Sequence, residues 1–273
     1  MVSWFLDLHP IWQAFIAGTW CWITTSIGAA VIFMKKEVSR KFLDASLGFA
    51  AGVMIAATIW SLLEPSMEMA ESLGLIKWIP ATAGFIIGAL TIRLADAYVP
   101  HLHLGLPEEE AEGVQTKWRR ATLLVMAITL HNIPEGLAVG VLFGAAASGV
   151  DPTGTATVAA ATALAIGISI QNLPEGMAVS MPLRGEGVSR WKSFNYGQLS
   201  GIVNAPSAVI GALAVIIIQP VLPYALGFAA GAMIFVVIEE LIPTSQRAGN
   251  TDLATMGTVI GFCVMMVLDI TLG

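Results

Sequence analysis

Charge is scarce in this sequence. Asp, Glu, Lys and Arg together make up 12% of the chain, about half the roughly 25% of a soluble domain, and too little to cover a water-facing surface. Cysteine is scarcer: only Cys21 and Cys263, with no CxxC pair, which excludes a zinc ribbon, a redox pair and a disulfide scaffold. Both sit in apolar stretches and are expected to be small buried hydrophobes. No Lys or Arg precedes Lys35, so the positive start of a secretory signal peptide is missing and the first apolar segment is expected to stay as a membrane helix. A basic stripe is also missing, and the formal net charge of −6 argues against a nucleic-acid partner.

Apolar residues are abundant instead, at 56% of the chain, with a mean hydropathy of +0.78. They fall in continuous runs rather than in the alternating pattern of a transmembrane strand. Eight segments follow, near 10–33, 43–64, 78–98, 120–143, 156–181, 194–218, 222–243 and 252–272. The expected fold is all-α, a polytopic membrane protein with eight transmembrane helices forming a single domain over 1–273.

Orientation follows from the basic residues. Lys35, Lys36, Arg40, Lys41, Lys117, Arg119, Arg120, Arg184, Arg190, Lys192 and Arg247 all lie in or beside odd-numbered loops; only Lys77 and Arg93 do not. The positive-inside rule then predicts cytoplasmic odd loops and both termini outside.

Two repeats are visible. His131-Asn-Ile-Pro-Glu-Gly136 in the fourth segment returns as Gln171-Asn-Leu-Pro-Glu-Gly176 in the fifth. Each motif starts roughly 15 Å from the cytoplasmic end of its helix at the standard rise per residue, so the two meet near the bilayer centre. The second repeat is distant: Leu47-Gly-Phe-Ala-Ala-Gly-Val-Met-Ile55 recurs as Leu226-Gly-Phe-Ala-Ala-Gly-Ala-Met-Ile234 with one difference. The two copies run in opposite directions, which predicts inverted repeats of helices 1–3 and 6–8 around a central helix 4/5 pair. Secondary transporters are commonly built this way, with the substrate at the midplane.

The paired motifs supply the chemistry. His131 and Glu135 share one helix face, as do Gln171 and Glu175, with Asn132 and Asn172 one residue round. An ionisable side chain at the bilayer centre costs about 2.5 kcal/mol or more. Two carboxylates, an imidazole and amides there call for a positive partner, and a divalent cation accepts such donors. Pro134 and Pro174 lack the N–H that would engage the carbonyls of Leu130 and Ile170, which adds oxygens nearby. Two proline-containing packing helices with mutually paired polar groups remain the bland alternative.

These residues resemble a known family. HNxPEG on helix four, its copy on helix five, eight helices and the GQLSG region from Gly197 to Asn204 are similar to the ZIP (Zrt/Irt-like) metal transporters, closest to the bacterial, GufA-like branch. The resemblance implies transport of a divalent transition metal into the cytoplasm, most often Zn2+, with Cd2+, Fe2+ or Mn2+ as alternatives. It implies a site of His131, Glu135, Gln171 and Glu175, assisted by Met54 and Asn132, in a bundle of helices two, four, five and seven that slides as an elevator against one, three, six and eight. It also implies a homodimer in the inner (plasma) membrane, and the metal as bound substrate rather than a catalytic cofactor. Many relatives carry acids where Asn172 and Asn204 stand, so a second metal site is expected to be weak or absent. Gln171 stands where many have histidine, which softens the preference for zinc.

Other polar residues mark a path. Glu64, Glu68 and Asp269 are candidates at the outer mouth, against a reading as ordinary solvated helix ends. Asp96, His101 and His103, leading into the acidic run Glu108, Glu109, Glu110 and Glu112, are candidates at the exit together with Glu239 and Glu240. An intramembrane metalloenzyme is the alternative class, disfavoured because no HExxH or second nearby histidine exists. A metal sensor and a proton-coupled carrier of another solute are the further alternatives.

Overall fold

The computed structural model describes residues 3–35, 38–103, 106–148, 157–185, 187–217 and 221–272. Among them are eight long helical rods, the sixth interrupted by a turn at 201–203, a short helix at Ser3–Leu6 before them, and no strand. They are α1 (Pro10–Met34), α2 (Arg40–Ser72), α3 (Trp78–Tyr98), α4 (Arg120–Ser148), α5 (Val158–Gly185), α6 (Arg190–Ile217), α7 (Leu222–Gln246) and α8 (Thr251–Leu272). Seven are long and apolar enough to cross a membrane. The exception, α5, has 28 residues, and its Gln171, Asn172, Glu175 and Arg184 dilute the apolar run. The protein is an integral membrane protein of the all-α class.

Local signals set the rods. Pro10 opens α1, where its missing N–H costs nothing. Ser39 caps α2 by accepting from the Phe42 amide at 3.1 Å, and Ser189 caps α6 through the Lys192 amide at 3.4 Å. The α-helix continues through Pro134 in α4 and Pro174 in α5. Near the end of each copy of the distant repeat the winding loosens to π-helix, over Thr58–Leu63 in α2 and Val237–Leu241 in α7.

The inverted repeat is written in close glycine contacts. A Cβ on Gly48 or Gly52 of α2 would collide with the carbonyl of Ala254 or Thr258 in α8. Their counterparts in the other copy, Gly227 and Gly231 of α7, meet Ala81 and Phe85 in α3 in the same way. Ala254 and Ala81 are each the fourth residue of their helix, and Thr258 and Phe85 the eighth. The reciprocal contacts match as well: Gly257 and Gly261 of α8 against Ala45 and Phe49, Gly84 and Gly88 of α3 against Tyr224 and Phe228. Small residues let membrane helices approach this closely.

The same device joins the remaining rods. Gly136 and Gly140 of α4 lie on Asn204 and Ala208 of α6, Gly28 of α1 on Leu173 of α5, Gly176 of α5 on Thr25 of α1, and Gly18 of α1 on Asn204. Two tightly packed groups result, α1 with α4, α5 and α6, and α2 with α8 beside α7 with α3. Ser66 of α2 links the last two pairs by donating to the Pro223 carbonyl at 2.6 Å. This grouping differs from the expected division of two, four, five and seven against the rest, which would cut each of these glycine interfaces except that of Gly18 with Asn204.

α5 lies at the centre, buried along most of its length. α3 and α8 are outermost, presenting Ile86, Leu90 and Leu94, and Val259, Val267 and Ile270 outward. Cys21 is buried as expected, but Cys263 is exposed on that outer face of α8.

Candidate metal site

The two central motifs face each other in the interior. Asn132, Glu135, Gln171 and Asn172 are fully buried, and His131 and Glu175 nearly so. Gln171 Nε2 of α5 donates to Glu135 Oε1 of α4 at 2.7 Å, so the two motifs meet directly, with Gln171 level with Glu135. Glu135 Oε2, both Glu175 oxygens, Gln171 Oε1 and His131 Nδ1 are buried without a hydrogen-bond partner. A buried acceptor left unpaired costs about 1–3 kcal/mol, more when charged, and several on two facing helices fit a cation better than they fit one another. The donor set of two carboxylates, an amide oxygen and an imidazole nitrogen suits a divalent transition metal.

The flanking amides engage other partners through their N–H groups, while Asn172 Oδ1 and Asn204 Oδ1 are buried without one. Asn204 Nδ2 of α6 donates to Asn132 Oδ1 at 2.7 Å, and Asn132 Nδ2 returns to the Ile128 carbonyl at 2.9 Å. Asn172 Nδ2 donates to the Cys21 carbonyl of α1 at 3.2 Å. Met54 is fully buried on α2 within the apolar core, and no described polar contact ties it to the carboxylates.

A second cluster lies beyond α3. One ligand atom each from Asp96, His101, His103 and Glu112 lie within 4.8 Å of one another, a grouping able to hold a metal ion. His101 Nε2 is 3.0 Å from Asp96 Oδ1 and His103 Nε2 is 3.3 Å from Glu112 Oε1. His103 Nδ1 also contacts Glu240 of α7. The loop folds back so that His101 and Glu112 exchange backbone hydrogen bonds at 3.2 and 3.0 Å. Gly113 sustains that return with a φ of +84°, against the Val99 carbonyl. Burial depresses both imidazoles, but hydrogen bonds and the surrounding carboxylates outweigh it. His101 is raised by Asp96, and His103 is raised to about 9 by Glu240 and Glu112.

Between the two clusters a cavity of about 10 Å³ is lined by Leu102, Leu124, Ile128, Val179 and Glu240. That is close to the room one water molecule needs.

The candidate path residues divide. Asp96, His101, His103 and Glu240 converge, whereas Glu239 is exposed and stands apart from them. Glu112 is the member that sequence reasoning did not single out from its acidic run; the signal was the His-x-His pair, which needs a carboxylate the sequence does not identify. Glu108, Glu109 and Glu110 form an exposed 3-10 turn. At the opposite end, α2 continues to Ser72, so Glu64 and Glu68 lie within the helix rather than after it. Glu64 is exposed, Glu68 is half-buried with one oxygen unpaired, and Asp269 accepts a hydrogen bond from Ser61 of the α2 π-segment.

Comparison with known proteins places the arrangement. The family described as "ZIP Zinc transporter" matches residues 105–269, a stretch that contains both central motifs. The chain belongs to the ZIP family. Human "Zinc transporter ZIP11" is 41% identical across 96% of this chain and 98% of its own length. "Zinc transporter GufA" of Myxococcus xanthus is 36% identical across 94% and 96%, and "Zinc transporter ZupT" of Streptococcus mutans 33% across 94% and 96%. Within this ZIP chain, the two motifs meet through Gln171 and Glu135, with His131 and Glu175 buried on the same two helices.

Proposed function

We propose that the protein carries divalent transition-metal ions, zinc foremost, across the membrane, and is not an enzyme. The relatives named as zinc transporters support this reading, and one observation of the structure carries it: the set of buried, unpartnered acceptors on Glu135, Gln171, Glu175 and His131. The ion is substrate. It is held by the two carboxylates with Gln171 Oε1 and His131, while Asn132 and Met54 stand behind them. Asn172 and Asn204 offer buried, unpartnered amide oxygens, but neutral ones where a carboxylate would bring charge, which leaves the second site weak.

Direction follows the charge asymmetry of the loops, with both termini outside, the outer mouth near Glu64, Glu68 and Asp269, and release into the cytoplasm of a cell bounded by this inner (plasma) membrane. Asp96, His101, His103, Glu112 and Glu240 form a receiving station one small cavity below the midplane. The metal-binding pair α4 and α5 is bound through glycines to α6 and α1, so alternating access by an elevator divides the molecule along the faces of α2 and α7 that meet α5 and α4. A homodimer belongs to the same reading and is checked by sedimentation in detergent.

Purified protein in liposomes tests the function. Saturable zinc uptake, abolished by Glu175→Ala, is the expected result. Uptake indifferent to that substitution would move the path elsewhere, and zinc binding without any uptake would favour a sensor.

A further inference from the structure

A second polar cavity lies apart from the metal path. Gly136, Gly140 and Gly144 of α4 meet Asn204, Ala208 and Ala212 of α6 in rising order, so the two helices are parallel and begin side by side at one membrane face. Their positive dipole ends therefore add instead of cancelling. Between those ends is a cavity of about 440 Å³, lined among others by Arg119, Ser189, Lys192, Asn195, Tyr196 and Leu199.

The cavity gathers positive charge. The Arg119 and Lys192 side chains are exposed and form no ion pair among the described residues. The Arg184 guanidinium is close by, donating to the carbonyl of Val188, another wall residue, at 3.0 Å. Among the described residues no carboxylate lines the cavity; Glu186, in the same loop, lies outside them. The α6 cap takes the Lys192 amide and leaves earlier first-turn amides available to an anion, as helix starts do. Ala121, Val188 and Leu199 supply an apolar side, and Trp118 and Trp191, next in sequence to Arg119 and Lys192, are exposed, as tryptophan is at a membrane–water interface.

The geometry points to a binding site for a phosphate group in this cavity, supplied by the headgroup of an anionic phospholipid whose chain follows the apolar side. Basic pockets between membrane helices take such headgroups. Arg119 and Lys192 contact the phosphate, Ser189 and Asn195 offer polar groups at its edge, and Leu199 with Val188 receives the start of the chain. Inorganic phosphate shares the recognised chemistry and is the other source. The site does not depend on the transport reading, because none of its residues belongs to the metal path.

Thermal unfolding of the full-length protein in detergent tests this, with dioctanoyl phosphatidylglycerol, dioctanoyl phosphatidylcholine and inorganic phosphate as probes. Phosphatidylglycerol should raise the unfolding midpoint saturably, and phosphatidylcholine should not. In an Arg119→Gln/Lys192→Gln variant the half-saturating concentration should rise roughly thirtyfold, the combined worth of two basic side chains at a membrane surface. Asn195→Leu, which fills the cavity without altering charge, should weaken the effect as well, while Lys192→Arg keeps it. A variant-sensitive shift with inorganic phosphate at equal concentration supports the anion site and assigns it to the free ion. Equal shifts in the wild type and the neutralised variant, equal shifts from the two lipids, or no shift from any probe would overturn the proposal.

Discussion

Gln171 of α5 holds Glu135 of α4 through a 2.7 Å hydrogen bond, a direct side-chain link between the two repeated motifs. The amide fixes one carboxylate oxygen and leaves its own carbonyl oxygen, with Glu135 Oε2, unpaired in the interior. A neutral oxygen donor thus stands at the place where an imidazole would set a stronger preference for zinc.

Gln171→His should therefore sharpen selectivity. Exchanging oxygen for imidazole nitrogen favours zinc over manganese in the ordinary affinity order, and about tenfold is expected, a difference of about 1.4 kcal/mol. Uptake of radioactive zinc under manganese competition measures it. Unchanged competition would remove Gln171 from the ligand set.

The lower cluster should bind metal independently of the midplane. Calorimetry on the wild type is expected to show two classes of zinc site. His103→Ala should delete one class and slow release without abolishing uptake, and Glu175→Ala should delete the other. A single class, lost in either variant alone, would mean that the two clusters act as one site.

Asn172→Asp with Asn204→Asp should build what the native amides withhold. Each change places a carboxylate beside the central motifs, where Asn132 already meets residue 204, and midplane zinc stoichiometry should rise from one to two. A stoichiometry that stays at one, in a variant that is folded and still transports, would show that the amides are not what prevents the second site.

Close packing predicts a contrast between two glycines. A side chain on Gly140 would strike the Ala208 carbonyl of α6, whereas one on Gly185 meets nothing within 4 Å. Gly140→Leu should lower thermal stability by about 1–3 kcal/mol or more, the usual cost of overpacking, and Gly185→Ala should leave it unchanged. Equal stability of the two variants in detergent would contradict the α4–α6 interface.

Much of this was legible in the residue order. The spans, the inverted repeat and the facing of the two central motifs depend on local hydropathy, self-similarity and a fixed rise per residue, although Gln171 meets Glu135, one turn beyond His131. The errors have local causes too. Glu239 and Glu240 are adjacent, and the π-segment Val237–Leu241 disturbs the helical period that would have told which one turns inward; Glu240 is buried and Glu239 is not. Glu112 was hidden in a run of acids because its role arises from a loop that returns across Gly113. Cys263 sits in an apolar run, yet it faces outward, since an outer membrane helix is apolar on both its protein-facing and lipid-facing sides.

The sequence by itself determined that the chain lives in a membrane, how often its apolar runs recur and at what depth its polar motifs lie. Each of these is a sum of transfer free energies or of rises along one helix, and neither needs a neighbour. Only the tertiary structure decided which acidic and histidine side chains cluster after α3, which buried acceptors are left unpaired and which helices pack most closely. Those depend on the rotation of each helix about its axis and on how closely two backbones approach, and here glycines against carbonyls set both.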